Sequence, residues 1–255
     1  MKNIREKLYL AGFGEDCVKL AKEYNLKVEV NSSCISENLD PDKISGTLDA
    51  IKLALDESGC EEAILHGPFT EIIPSAIDPF IRECGMTRLN QAYDLCRKLG
   101  IKKMTVHSGF IPVMYYKTWH IQKSVEFWKE FMKDKEDFEI CIENVLDEDP
   151  YMLKEIVDQL HNKKVKLCLD LGHANSVNSK YKLARWISAM GEDIDHFHIH
   201  NNNGDHDSHN SLGDGNIDYE EMLDLMEQHA PNASICIESH NLKESLDWLS
   251  ERGYI

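Results

Sequence analysis

The stretch HFHIHNNNGDHDSHNSLGDGN, residues 196–216, carries five histidines within fourteen positions: His196, His198, His200, His206 and His209. Aspartates and glycines surround them, and no cysteine is near. Imidazole nitrogens and carboxylate oxygens without thiolates are donors suited to a catalytic divalent metal rather than to a structural zinc knuckle. The same chemistry recurs along the chain. His66 stands in ILHGPF, His107 in TVHSGF, Glu143 in CIENV, Asp170 and His173 in LCLDLGHAN, and Glu238 in ICIESHN. Five histidines are too many for one small site, so the element that carries each one has to sort them.

Short apolar runs rich in Val, Ile, Leu and Phe alternate with longer helical patterns. The runs predict strands at 8–13, 27–32, 63–67, 103–108, 138–144, 165–171, 194–200 and 234–239. Helices are predicted near 15–25, 42–58, 86–99, 118–134, 150–161, 180–190, 218–229 and 242–252. Gly85 or Thr87 would start the third helix, Asp218 caps the seventh and Asn241 the eighth. Glycines at 100, 191 and 253 close helical patterns. Eight strands alternating with eight helices predict an α/β fold, a closed (β/α)8 TIM barrel spanning 1–255 as a single domain. An open doubly wound sheet is the alternative, but GFGED at 12–16 only weakly resembles a dinucleotide turn.

Barrel enzymes place chemistry at the C-terminal strand ends. Six consecutive strand ends here carry a His, Asp or Glu, which predicts a metal site at the barrel mouth. Alternation along each strand sharpens this. Ile140 and Ile142 oppose Cys141 and Glu143. Leu167 and Leu169 oppose Cys168 and Asp170, and Ile235 and Ile237 oppose Cys236 and Glu238. Each acid then points inward, above an inward cysteine. On strand seven, His196, His198 and His200 all face inward, and periodicity does not choose among them.

Composition narrows the partners. The formal charge is −17, from 45 acidic and 28 basic residues. Such a field repels phosphate backbones and makes nucleic acid a poor partner. The eight cysteines form no C-x-x-C pair and sit in apolar segments, as in a reduced, cytoplasmic protein. MKNIREKLYL has no long apolar run, so no signal peptide is expected. No segment approaches the roughly 18 apolar residues of a membrane span. A homo-oligomer is compatible with all of this.

The strand-end motifs CIENV, CLDLGHAN, HIHNN, DSHNSLGDGNID and CIES resemble, in order and spacing, the xylose isomerase-like barrel superfamily. That group contains sugar and sugar-phosphate isomerases and epimerases as well as endonuclease IV. The resemblance to the epimerase branch implies one divalent metal (Mn, Zn, Co or Mg) held by Glu143, Asp170, His198 and Glu238. The resemblance to endonuclease IV implies three zinc ions, with His66, His107, His173, Asp207 and His209 as additional ligands. In the epimerase reading those five bind substrate instead. By position, His196 then falls in the layer below His198, His200 at the rim and His206 in solvent.

The favoured chemistry is proton abstraction next to a carbonyl of a sugar or sugar phosphate. A divalent metal polarises the carbonyl, and Glu143 and Glu238 act as the catalytic acid/base pair. The alternative is a multi-zinc phosphodiesterase or AP endonuclease. Phe69, Phe110, Tyr115, Tyr116 and Trp119 follow strands three and four and could stack on a substrate ring. Residues 71–90 read as an insertion able to act as a lid, with Arg82 and Arg88 in or near it.

Overall fold

The computed structural model describes residues 3–255. Met1 and Lys2, which open both the predicted domain and the segment read for a signal peptide, lie outside the described residues. Eight parallel strands close into one barrel in chain order: β1 (Leu8–Ala11), β2 (Lys27–Val30), β3 (Ala63–His66), β4 (Lys103–His107), β5 (Glu139–Glu143), β6 (Val165–Asp170), β7 (Ile194–Ile199) and β8 (Ser234–Ile237). β8 pairs back onto β1 through Leu8 and Ile235. The open sheet is thereby excluded, and GFGED is the β1–α1 turn.

The helices are α1 (Cys17–Tyr24), α2 (Ile44–Ser58), α3 (Pro79–Leu99), α4 (Lys117–Met132), α5 (Pro150–Leu160), the short α6 (Leu171–Ser176), α7 (Leu183–Met190), α8 (Tyr219–His229) and α9 (Leu242–Glu251). Asp218 caps α8 by accepting from the backbone N–H groups of Glu220 and Glu221, and Asn241 caps α9 by accepting from Glu244. Among the described residues no helix is long and apolar enough to cross a membrane.

Alternation sorts the strand residues as expected. Ile140, Ile142, Leu167, Leu169, Ile235 and Ile237 belong to the large cluster between strands and helices. Cys236 packs instead with Tyr9, Ala11 and Ile64 in a smaller cluster. Cys141 and Cys168 are equally buried beneath the acids of their strands. All eight cysteines are free, and burial pushes the Cys141 thiol up to about 12, so it stays protonated.

The third helix starts earlier than expected. Asp78 accepts from the N–H of Phe80, and Pro79 occupies the first turn, where its missing N–H costs nothing. Of the predicted insertion at 71–90, only 71–78 is loop, and the remainder belongs to α3. Arg82 donates to the carbonyls of Ala76 and Ile77, and Arg88 pairs with Asp40 at 2.6 Å, so both arginines brace the scaffold.

Ser75 ties the same loop to α4. Its carbonyl accepts from Trp119 Nε1 at 2.8 Å, and its hydroxyl lies 2.8 Å from His120 Nδ1. Burial depresses His120 from its ordinary value of 6.5 to about 4. A depressed histidine contributes stability above pH 6.5 that is lost as pH falls toward 4, here about 3 kcal/mol at about 1.4 kcal/mol per unit. Denaturant titrations across that window should show a shallower acid loss for His120→Gln than for the native protein. Equal slopes would contradict this role.

Candidate metal centre

The mouth is assembled by strand ends and by the loops that lock them. Asn144, just past β5, makes a reciprocal amide pair with Asp170 on β6: its Oδ1 accepts from the Asp170 N–H and its Nδ2 donates to the Asp170 carbonyl, both at 2.9 Å. The chain then turns directly into α6. Asp170 Oδ1 accepts from the His173 N–H at 2.6 Å, capping that turn and leaving Oδ2 free. Asp170 and His198 are direct register partners of β6 and β7, and Cys168 and His196 are partners one level down.

His198 sits at the centre of one donor group. Its Nδ1 lies 3.2 Å from Glu143 Oε1, 3.4 Å from Glu238 Oε1 and 3.9 Å from Asp170 Oδ2. These four atoms are all buried and none has a hydrogen-bond partner. Buried polar atoms are rarely left unpaired, because desolvation without a partner costs on the order of 1–3 kcal/mol each. Three carboxylate oxygens and one imidazole nitrogen converging without partners are a donor set that fits a divalent cation.

The other oxygen of Glu143 faces a second pair. Oε2 lies 3.2 Å from His66 Nε2 and 3.4 Å from His107 Nε2. His66 Nδ1 donates to the Gly67 carbonyl at 3.0 Å, and its Nε2 donates to the Glu143 carboxylate. Burial holds His107 down at about 3, so this ring is neutral. Phe69 stacks on it with centroids 4.5 Å apart.

A third group lies beside the first. His173 Nε2 and His209 Nε2 lie 3.2 and 3.1 Å from Asp207 Oδ2. His200 Nε2 lies 3.5 Å from Asp207 Oδ1 and 3.2 Å from Asp170 Oδ1. Ligand atoms from His173, His200, Asp207 and His209 all fall within 4.8 Å of one another. His173 Nδ1 donates to the Asn144 carbonyl at 2.9 Å and His209 Nδ1 to the Glu238 carbonyl at 2.7 Å, so both rings turn Nε2 inward. Asn201 holds the loop that carries Asp207 and His209. It bridges Asn210, donates to the carbonyls of Leu212 and Ile217, and accepts from the Ile217 N–H.

The sequence reading requires one correction in this group. His200 is not a rim residue. It is fully buried, and its ring stacks on His209 with centroids 3.8 Å apart. Gly172 makes room for it, since a Cβ there would overlap the imidazole. All nine other predicted residues do gather at the mouth. His196 is buried one layer below, and His206 is exposed. Glu29 on β2, which sequence reasoning missed, is fully buried against His196 and His198. Of the aromatic residues, Phe69 reaches the cavity, Phe110 packs on His120, and Trp119 is occupied by Ser75.

The charges of the two glutamates are driven apart. Burial alone would raise Glu143, but His198, with His173 beside it, holds it well below the usual carboxylate range. Burial raises Glu238, with His198 opposing and Glu143 reinforcing the shift. Above both acids opens a cavity of about 490 Å³. Its floor holds His66, His107, Glu143, His173, Asp207 and Glu238, and Phe13, Cys34, Ile35, Phe69 and Val145 form an apolar side. No lysine or arginine lines it among the described residues.

Fold and site together define a (β/α)8 barrel whose mouth gathers carboxylates and imidazoles in groups able to hold divalent metal. The chain belongs to the xylose isomerase-like TIM barrel family, whose sequence model matches residues 12–252. It is 27% identical over 195 residues to the uncharacterized protein MJ1311 of Methanocaldococcus jannaschii, covering 72% of this chain and 67% of that protein. It is 23% identical over 197 residues to a probable endonuclease 4 of Oceanobacillus iheyensis, covering 69% of this chain and 65% of that protein. Among solved structures, a D-tagatose 3-epimerase-like protein superposes with a TM-score of 0.77 at 24% identity over 96% of both chains. The IolI protein with a bound zinc atom superposes at 0.73 and 15% identity, over 94% of this chain and 91% of that one. These two likenesses show the shared fold.

Proposed function

We propose that this protein is a divalent-metal-dependent epimerase or isomerase of an unphosphorylated sugar, acting by proton transfer at the carbon next to a carbonyl. The observation that carries the reading is the convergence of four unpartnered donor atoms, from Glu143, Asp170, His198 and Glu238, beneath a cavity that no lysine or arginine lines among the described residues. The epimerase-like and zinc-bound neighbours support it.

In this reading Asp170 and His198 hold the cation, and Glu143 and Glu238 reach it while flanking the substrate. When bound, a divalent cation there supplies polarisation of the sugar's carbonyl. One glutamate removes the proton from the neighbouring carbon, and the other delivers a proton to the opposite face, which inverts that centre. His66, His107 and His173 present ring nitrogens to the sugar hydroxyls. The apolar side formed by Phe13, Ile35 and Phe69 covers carbon–hydrogen faces of the sugar and excludes water. Among the described residues no lysine or arginine lines the cavity, so a sugar phosphate would meet only histidines there, which favours a neutral ketose.

A second reading rests on the group formed by His173, His200, Asp207 and His209, together with the His66 and His107 side of Glu143. Loaded with metal, these would make the mouth a phosphodiester-cleaving centre. The net charge of −17 and the lack of lysine and arginine around the cavity among the described residues weigh against a DNA substrate. A panel of free ketoses and DNA containing an abasic site separates the readings. Epimerisation of at least one free ketose supports the first. Abasic-site cleavage with no turnover of any sugar would replace it with the second.

A further inference from the structure

We propose that Glu29, together with His196, is a positioning device that holds His198 in the one orientation and tautomer that offers Nδ1 to the metal; this rests on the metal-site reading above. Glu29 is completely buried on β2. Its Oε2 lies 2.8 Å from His196 Nε2 and 3.2 Å from His198 Nε2. An ionised carboxylate only accepts, so both contacts require a hydrogen on Nε2. With Nε2–H committed to Glu29, Nδ1 is the one nitrogen of His198 left to give a lone pair to a bound cation. That is the atom facing Glu143, Glu238 and Asp170.

His196 is the other half of the device. Ser234 Oγ on β8 lies 2.6 Å from its Nδ1, and Tyr9 packs edge-on against its ring. The ring therefore cannot rotate away from Glu29, and Glu29 cannot drop away from His198. The connection crosses the barrel interior from β8 through β7 to β2 and back to β7. A wholly buried carboxylate is costly unless it is paired and hydrogen-bonded. Here Oε1 remains without a partner, so the burial is not compensated by a complete hydrogen-bond shell. A carboxylate behind a metal-binding imidazole fixes its tautomer and raises its basicity, and losing such a partner typically costs about 10–100-fold in metal affinity. A merely structural Glu29 would affect the stability of the metal-free fold and leave affinity unchanged.

The test uses Zn2+ as probe. In the Zn2+-loaded native protein, 15N-edited NMR should show His198 with its hydrogen on Nε2 and zinc on Nδ1. Glu29→Met, which keeps the volume and removes the acceptor, should raise the Zn2+ dissociation constant about 10–100-fold in a chelator competition. Glu29→Gln keeps an acceptor oxygen and should recover much of that loss. Zinc on Nε2 of His198 would overturn the proposal, and this measurement on native protein decides the matter even if Glu29→Met does not fold. A folded Glu29→Met with native zinc affinity would overturn it alone, leaving the metal site standing. A native protein that binds no zinc would overturn both.

Discussion

Glu238→Gln is expected to lower sugar epimerisation by roughly 10²–10⁴-fold, the range that a positioned acid or base contributes. The substitution is nearly isosteric. The backbone around it is held independently, because the Glu238 N–H donates to the Ile199 carbonyl at 3.0 Å and its carbonyl accepts from His209. The fold should therefore survive, as circular dichroism and an unchanged denaturation midpoint of the metal-free protein would report. The loss should fall on turnover at saturating metal, because an amide neither gives up nor takes the proton that inversion requires. Full turnover in Glu238→Gln would remove it from the acid/base pair and leave Glu143 without the partner that opposite-face delivery needs.

Removing metal is the second large effect. Glu143, Asp170 and Glu238 aim carboxylate oxygens at one buried point, with a single imidazole nitrogen among them. Without a cation these oxygens repel one another in a medium that screens poorly. A chelated protein should lose activity and melt lower. A cation at about 1,000 times its dissociation constant contributes about 4 kcal/mol to the folded state. In a chain of this size that corresponds to a midpoint shift on the order of 10 °C. Manganese or zinc added back should restore both activity and midpoint, while His198→Ala should respond only weakly. A native midpoint indifferent to chelator and to added metal would argue that the four atoms are unpaired for another reason.

The legible part of the site came from a period of two. Once Glu143, Asp170 and Glu238 were seen to alternate with Ile142, Leu169 and Ile237, their inward direction and common level followed. The histidines of β7 show where that logic stops. His196, His198 and His200, the last just past the strand end, share a face, and the loop folding back across the mouth buries His200 rather than leaving it at the rim. That fold-back depends on the Asn201–Asn210 bridge and on the space left by Gly172 beneath His200. Both are contacts between segments that the sequence keeps apart. Glu29 was hidden for the same reason. Within KVEVNS it looks like any polar residue of a strand, and its partners lie 167 and 169 positions away. The early start of α3 was readable, since an Asp78–Pro79 step is a helix N-cap followed by a first-turn proline.

The central claim is proton transfer at the carbon next to a sugar carbonyl, and solvent hydrogen exchange tests it most directly. Native protein loaded with manganese should be incubated in D2O with each free ketose of the panel and the sugars read by NMR and mass spectrometry. The account predicts one deuterium at the carbon adjacent to the carbonyl of an accepted ketose and of its epimer, and loss of that incorporation in Glu238→Gln. Epimerisation without deuterium uptake, or no exchange in any ketose alongside cleavage of abasic DNA, would contradict it.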